Sequence, residues 1–391
     1  MTVDINHIKN NLEYVGNTFN TADAGYNRLA FSEEEKGAIS WLEEELKKND
    51  IRVRRDAIGN LFARFGPKDK PVYAFGSHLD TVKNGGLYDG ALGVIAGLEC
   101  LLQLKEYNSQ NTAYELVCFV GEEGNPLGGT FGSRVITGQV NSEELDDDVL
   151  QAAGMTKEQV RVASNTIEDY AGFIELHIEQ GTVLENNNNK TGIVTNIAGI
   201  VRNHITVIGE AGHSGTMPMV YRKDALVMAS EIVQYINEEV RKLDDGTVAT
   251  VGQFEVKPNA ATIIPGEVEM TFEVRSGSKE RLETYPEEVI RWIKDNYDVK
   301  VAEGVKKPTN AMSDKIIEAT EQAAEKLNQP TLHMLSGANH DTNTLAPIMD
   351  TGMIFVPSIA GISHNPAEKS DWKYIRNAVN IMLETLKSLD N

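Results

Sequence analysis

The sequence predicts an α/β fold: a mixed, mostly parallel sheet with helices on both faces, plus an inserted α+β domain. Three observations predict it. Short apolar runs at 71–76, 114–120, 172–178 and 352–357 alternate with longer helical patterns at 91–105 and 373–388, and strands that alternate with helices imply parallel βαβ units. Residues 201–209 and 268–274 instead show period-two alternation, the mark of strands with one buried face. Helical stretches at 222–242 and 280–297 accompany them, giving a strand–helix–strand–strand–helix block typical of a small α+β domain. The expected division is therefore one domain from 1–200 and 311–391 and an inserted domain over 201–310.

The remaining elements follow in order. Residues 5–50 read as helical: Ser32 followed by Glu33, Glu34 and Glu35 is a cap-and-acid signature, and Ile39, Leu42 and Leu46 recur at helical spacing. The run Asn186–Asn189 reads as an exposed hairpin or loop tip, and no internal repeat is evident.

Bulk composition narrows the function classes. A chain of 391 residues, 41% hydrophobic and 24% charged, is ordinary globular protein with room for two domains. Its net charge of −21 argues against nucleic acid or an anionic membrane as partner. No run approaches the roughly 18 apolar residues of a membrane span, and the N-terminus lacks the basic and apolar regions of a signal peptide. Cys100 and Cys118 both lie in apolar segments, so reduced, buried thiols and a cytoplasmic location are expected. Two cysteines are too few for a cysteine-built metal site. No GxxxxGK[ST] or Rossmann-type glycine pattern occurs.

Polar residues then cluster where such a fold binds ligands. His78 and Asp80 follow the 71–76 run, Glu122 and Glu123 follow 114–120, His177 ends 172–178 on the face opposite Ile174, Leu176 and Ile178, and His364 follows 352–357. All stand at the C-terminal ends of expected parallel strands, the edge where open α/β sheets bind ligands. Asp89 precedes the helix near Ala91 at the same edge. His78, Asp89, Glu123, His177 and His364 have the make-up of a two-metal site: one carboxylate bridges two dications, each takes further His or acid ligands, and positions stay open for water. Nitrogen and oxygen donors suit Zn²⁺, Mn²⁺, Co²⁺ or Ni²⁺. Asp80 either orients the His78 imidazole or caps a turn. Of the Glu122–Glu123 pair, one can ligate while the other, left free beside the metals, serves as general base. His7, His204 and His333 have no such placement and read as ordinary structural histidines.

These residues sit in longer stretches: GSHLDTVKNGGLYDGALGV, ELHIEQGTVLE, AGHSGTMPM, IPGEVE with EVRS, and GMIFVPSIAGISHNPAE. In family order and over nearly the whole chain, they resemble the hydantoinase/carbamoylase amidases, within the wider group of dimetal aminoacylases and exopeptidases. The resemblance implies that His78, Asp89 and His177 bind one metal and Asp89, Glu123 and His364 the other, with Asp89 bridging. It implies Glu122 as general acid/base, His213 as polariser of the scissile carbonyl, and Arg275 as the grip on a small-molecule substrate's carboxylate. Gln180 and His340 would help position that substrate. The inserted block would be a lid that also forms a homodimer. The implied activity is metal-dependent hydrolysis of a carbamoyl C–N bond in an N-carbamoyl-L-amino acid or an allantoate-like compound. Alternatives are an aminoacylase or dipeptidase with the same metals and a non-catalytic binding protein; the second predicts a missing ligand or base, and none is missing. The chain departs from the family's pattern at Thr262, where Asn is frequent, at Asn339, where Gly is usual, and after the Glu pair, where GNPLGGTFGS lacks an Arg-Phe.

Overall fold

The structure, a computed structural model, describes residues 2–164, 166–167, 170–188 and 191–390. It divides into two compact units, residues 1–195 with 312–391, and residues 196–311. In the larger unit, strands run across the sheet in the order Arg52–Arg55, Leu61–Phe65, Ala113–Phe119, Val72–His78, Tyr170–Ile178, Thr351–Val356 and Thr191–Ile197. The central strands, from Ala113–Phe119 to Thr351–Val356, pair in parallel. The strands flanking them pair antiparallel. The fold class is thus the expected mixed sheet with a parallel centre.

Alternation along the central strands sends side chains to two apolar layers. Tyr73, Phe75, Ile174, Leu176 and Ile178 pack with the helices Ala91–Tyr107 and Trp372–Ser388. Ala74, Val117, Phe119 and Phe173 pack on the other face with Ile136 and Leu345, from the short helices Phe131–Ile136 and Asp341–Leu345. The helix Ala91–Tyr107 is apolar nearly all round because it lies buried in the molecule.

The expectation of helix through 5–50 is corrected. Helices span Ile5–Thr18 and Glu33–Lys48, and the chain between them is irregular. Side-chain hydrogen bonds hold that segment: Asn20 Oδ1 accepts from the N–H groups of Ala22 and Asn27, and Phe31 turns into positive φ before Ser32 caps the second helix. The Arg28 guanidinium, 1% exposed, donates to the carbonyls of Leu79 (2.5 Å), Val15 (3.4 Å) and Phe19 (3.4 Å). In the Asn run, Asn186 ends the short helix Val183–Asn186 and Asn187 and Asn188 form an exposed turn; Asn189 lies outside the described residues.

The smaller unit is an antiparallel sheet in the order Phe254–Lys257, Glu267–Ser276, Gly199–Ile208, Val299–Lys307. Ile205, Val207, Val268, Met270, Phe272 and Val274 face the helices Ala225–Leu243 and Lys279–Asn296. The Val299–Lys307 strand escapes sequence reading because its side chains are largely exposed, with burial alternating only over its first four residues, where Val299 and Val301 meet the apolar cluster. Among the described residues no helix is long and apolar enough to cross a membrane.

Candidate metal centre

The parallel strands deliver the side chains. His78 is the last residue of Val72–His78, His177 the penultimate residue of Tyr170–Ile178, and Glu122 and Glu123 stand just beyond Ala113–Phe119. His364 follows Thr351–Val356 in a turn-rich loop. Asp89 lies at the head of the helix Ala91–Tyr107, where Gly90 takes φ +60. That glycine is required: a Cβ there would lie 2.3–2.4 Å from the His78 ring.

These elements bring Asp89 between imidazoles. Its Oδ1 lies 3.1 Å from His177 Nε2 and 4.0 Å from His78 Nε2, while its Oδ2 lies 3.1 Å from His364 Nε2. Glu123 Oε1 is 3.6 Å from His364 Nε2, and Glu122 Oε2 is 3.5 Å from His78 Nε2. Two ligand-like groups share Asp89, His78–Asp89–His177 and Asp89–Glu123–His364. His364 is half-exposed, whereas the other members are buried.

The rings are oriented from behind. His78 Nδ1 is 3.0 Å from the Asp80 carbonyl and His177 Nδ1 is 2.9 Å from the Ile178 carbonyl. A carbonyl only accepts, so Nδ1 carries a proton and Nε2 is the nitrogen that faces the carboxylates. The Asp80 carboxylate plays two parts. Its Oδ1 is 3.4 Å from His78 Nδ1, while Oδ1 and Oδ2 accept the backbone N–H groups of Glu122 (3.1 Å) and Glu123 (2.9 Å). It therefore orients a ring and caps the turn that carries both glutamates.

Electrostatics describe a site short of positive charge. Burial raises the Glu122 carboxyl well above its usual range, opposed by His78 and reinforced by Asp341. Burial and Asp89 push Glu123 to about 7. Burial opposes protonation of His78 and His177, yet neighbouring carboxylates raise both rings above the ordinary imidazole value. His364 is raised to about 9, first by its hydrogen bond to Asp89. Asp89 itself, despite burial, is held well below the usual range by His177 and His364. Imidazole Nε2 atoms converge on buried carboxylates whose negative charge, with no cation there, is offset only by protons on the rings and acids. A divalent cation would replace those protons and take Nε2 and carboxylate oxygens as donors, so the residues fit metal binding.

The other expected residues take distinct places. Gln180, at φ +58, donates from Nε2 to Asp89 Oδ2 (3.0 Å) and Ser363 Oγ (3.1 Å). His340 is buried edge-on against His177, ring centroids 4.5 Å apart, with Nε2 3.0 Å from Ser336 Oγ, and burial holds it neutral. Asn339 accepts from Asn343 Nδ2 at 2.7 Å. On the smaller unit, exposed His213 pairs in register with Ile263, and its Nδ1 accepts from the Gly215 N–H at 3.0 Å. Thr262 is exposed, and its carbonyl accepts from the Ser214 N–H at 3.0 Å. Arg275 Nε donates to Glu273 Oε1 at 2.8 Å, and Glu273 Oε2 accepts from Arg202 Nε at 2.7 Å. His7 pairs with Glu99 and His333 with Glu321, each at 2.8 Å, as ordinary structural contacts.

Sequence reading missed several buried acids. Glu175, two residues before His177 on the same strand face, accepts from Ser77 Oγ (2.7 Å) and from Thr342 N (3.0 Å) and Oγ1 (2.6 Å). It also lies near His177 and His340, but with its oxygens so engaged it is a brace for the strand end. Asp341, pushed to about 8 by burial and then Glu175, accepts from Ser133 Oγ at 2.5 Å. Period two would have found Glu175; nothing local marks Asp341.

Comparison with known proteins places the chain in a family. Residues 74–388 match peptidase family M20/M25/M40. The chain is 36% identical, over 95% of both sequences, to an N-carbamoyl-L-amino-acid amidohydrolase of Paenarthrobacter aurescens. It is 33% identical, over 89% of both, to an allantoate amidohydrolase of Escherichia coli (strain K12). A solved hydantoinase/carbamoylase family amidase from Burkholderia multivorans shares its fold with a TM-score of 0.91 at 28% identity, covering 99% of this chain and 98% of that one. Motif order, strand-end placement and whole-length similarity converge: the chain belongs to peptidase family M20/M25/M40, among its hydantoinase/carbamoylase amidases.

Proposed function

We propose that this protein is a metal-dependent amidohydrolase that cleaves the carbamoyl C–N bond of an N-carbamoyl-L-amino acid or an allantoate-like ureido acid. The observation that carries the reading is Asp89, whose two oxygens each face a different imidazole at 3.1 Å, with Glu122 beside them. His78, Asp89 and His177 would hold one divalent cation and Asp89, Glu123 and His364 the other, Zn²⁺ or Mn²⁺ by donor type, with Co²⁺ or Ni²⁺ as further fits. When bound, the cations supply Lewis acidity toward the carbonyl oxygen and acidify a water.

The chain's own groups do the rest. Glu122 takes the proton of the attacking water and returns it to the leaving nitrogen. Asp80 holds His78 and the Glu122–Glu123 turn in register. In the same reading, His213 polarises the carbonyl and Arg275, steadied by Glu273, grips the substrate carboxylate. Gln180 and His340 help position the substrate, and Thr262 lines its pocket. Residues 201–310 act as a lid and homodimer-forming domain of a cytoplasmic enzyme. An N-carbamoyl amino acid would yield the free amino acid, CO₂ and NH₃.

The test is a substrate panel on the Mn²⁺- or Zn²⁺-loaded protein: N-carbamoyl-L-amino acids, allantoate, N-acetyl-L-amino acids and dipeptides. Ammonia from a ureido substrate, lost in Glu122→Gln, is the expected result. Turnover only of acetylated or dipeptide substrates would instead assign the chain to the aminoacylases, with Thr262 as the first residue to examine.

A further inference from the structure

One buried acid outside both ligand groups joins the loops that carry them. Glu368, 4% exposed, closes the SHNPAE segment. Its Oε1 accepts the backbone N–H groups of Tyr88 (2.9 Å) and Asp89 (3.1 Å), and its Oε2 accepts the Ser363 hydroxyl at 3.0 Å. The tie spans 280 residues of sequence, from the Asp89 turn to the His364 loop. With both oxygens engaged, Glu368 is not disposed to ligate a cation itself.

The surroundings are built around it. A Cβ on Gly86 would lie 2.0 Å from Glu368 Oε1, so only glycine admits this approach. The His364 loop is closed at its base by the Ile359 N–H donating to the Lys369 carbonyl at 2.8 Å. Within it His364 stands at φ +53, a conformation a non-glycine residue keeps only where its surroundings fix it. Ser363, the preceding residue, is the one Glu368 holds, and its Oγ also lies 3.4 Å from Asp89 Oδ2.

We propose that Glu368 is a positioning residue: through Ser363 and the Asp89 backbone it sets the separation of Asp89 from His364, and so the affinity of the cation site those two share with Glu123. The inference rests on the two-cation reading above. Outer partners of metal ligands act in this way, and their loss typically weakens binding roughly 10–100-fold.

The experiment is competition between the metal-free protein and a chromogenic chelator for Zn²⁺, on native chain, Glu368→Gln, Ser363→Ala and the double variant, with melting of each metal-free form alongside. Glu368→Gln keeps the shape and Ser363→Ala keeps the charge. The proposal expects each single variant to melt like the native chain while one of two ions is weakened, by about 10–100-fold in Glu368→Gln. It expects the double variant to bind no more weakly than Glu368→Gln alone, because both changes cut one tie. Native affinities in both single variants, equal weakening of both ions, additive losses in the double variant, or a lowered melting temperature that accounts for the loss would each overturn the positioning role and leave the two-cation reading standing. A native chain that binds no Zn²⁺ overturns that reading, and this inference with it.

Discussion

Residue by residue, the chemistry divides between groups that face the cation sites and groups that hold them. Glu122 faces His78 at 3.5 Å from outside both ligand groups, whereas Asp80, also outside them, has its oxygens engaged by the Glu122 and Glu123 N–H groups. Glu122→Gln is therefore expected to lower kcat by about 10²–10⁴-fold while the ions bound per chain stay unchanged; steady-state kinetics with metal analysis on one sample checks both halves. The facing residues were legible in the sequence because His78, the Glu122–Glu123 pair and His177 end or follow apolar runs, His364 stands in the loop beyond another, and Asp89 precedes the helix near Ala91. Of the holding residues, Asp80 was legible and the others were not. Arg28 and Glu368 act through backbone carbonyls and N–H groups far away in the chain, and no local pattern encodes such partners.

Elements decide how firmly the centre is framed. The turn into the helix Ala91–Tyr107 works because Gly90 has neither a strained φ nor a Cβ against His78. Gly90→Ala should destabilise the fold by roughly 1–3 kcal/mol and also weaken metal binding, read by urea unfolding and chelator competition; a variant with native values for both would show that the His78 ring has room to move. The first helix is tied down differently: His7 Nδ1 meets Glu99 Oε2 at 2.8 Å on the helix Ala91–Tyr107. That hydrogen bond raises His7 above its ordinary value of 6.5. A raised imidazole stabilises fully below its unfolded value and loses that contribution as pH climbs through the folded one. Native chain should thus exceed His7→Gln in urea midpoint near about pH 5.5, with the gap narrowing toward about pH 8.5. In the larger unit the strands Arg52–Arg55, Leu61–Phe65 and Thr191–Ile197 and the helix Asp314–Lys326 went unread, and over 19–32 Asn20 and Phe31 override the helical spacing; the central strands and the helices over 91–105 and 373–388 were readable from periodicity. The edge strand Val299–Lys307 was not, since an exposed edge buries too little to leave a pattern.

For the whole molecule, the buried acids are the governing feature. Asp80, Asp89, Glu123, Glu175, Asp341 and Glu368 are each 8% exposed or less. Such a set is stable only where hydrogen bonds and positive charge answer it. Cations that bind the native state alone stabilise it, by about 2.7 kcal/mol per site at a hundredfold excess over Kd, so chelation should lower the melting temperature and Mn²⁺ or Zn²⁺ should restore it. The most direct measurement is native mass spectrometry of the chain titrated with Zn²⁺, beside an Asp89→Ala variant. The account predicts two ions per native chain and loss of both in the variant, because both sites share that carboxylate. One ion or none on the native chain, or two on Asp89→Ala, would contradict it.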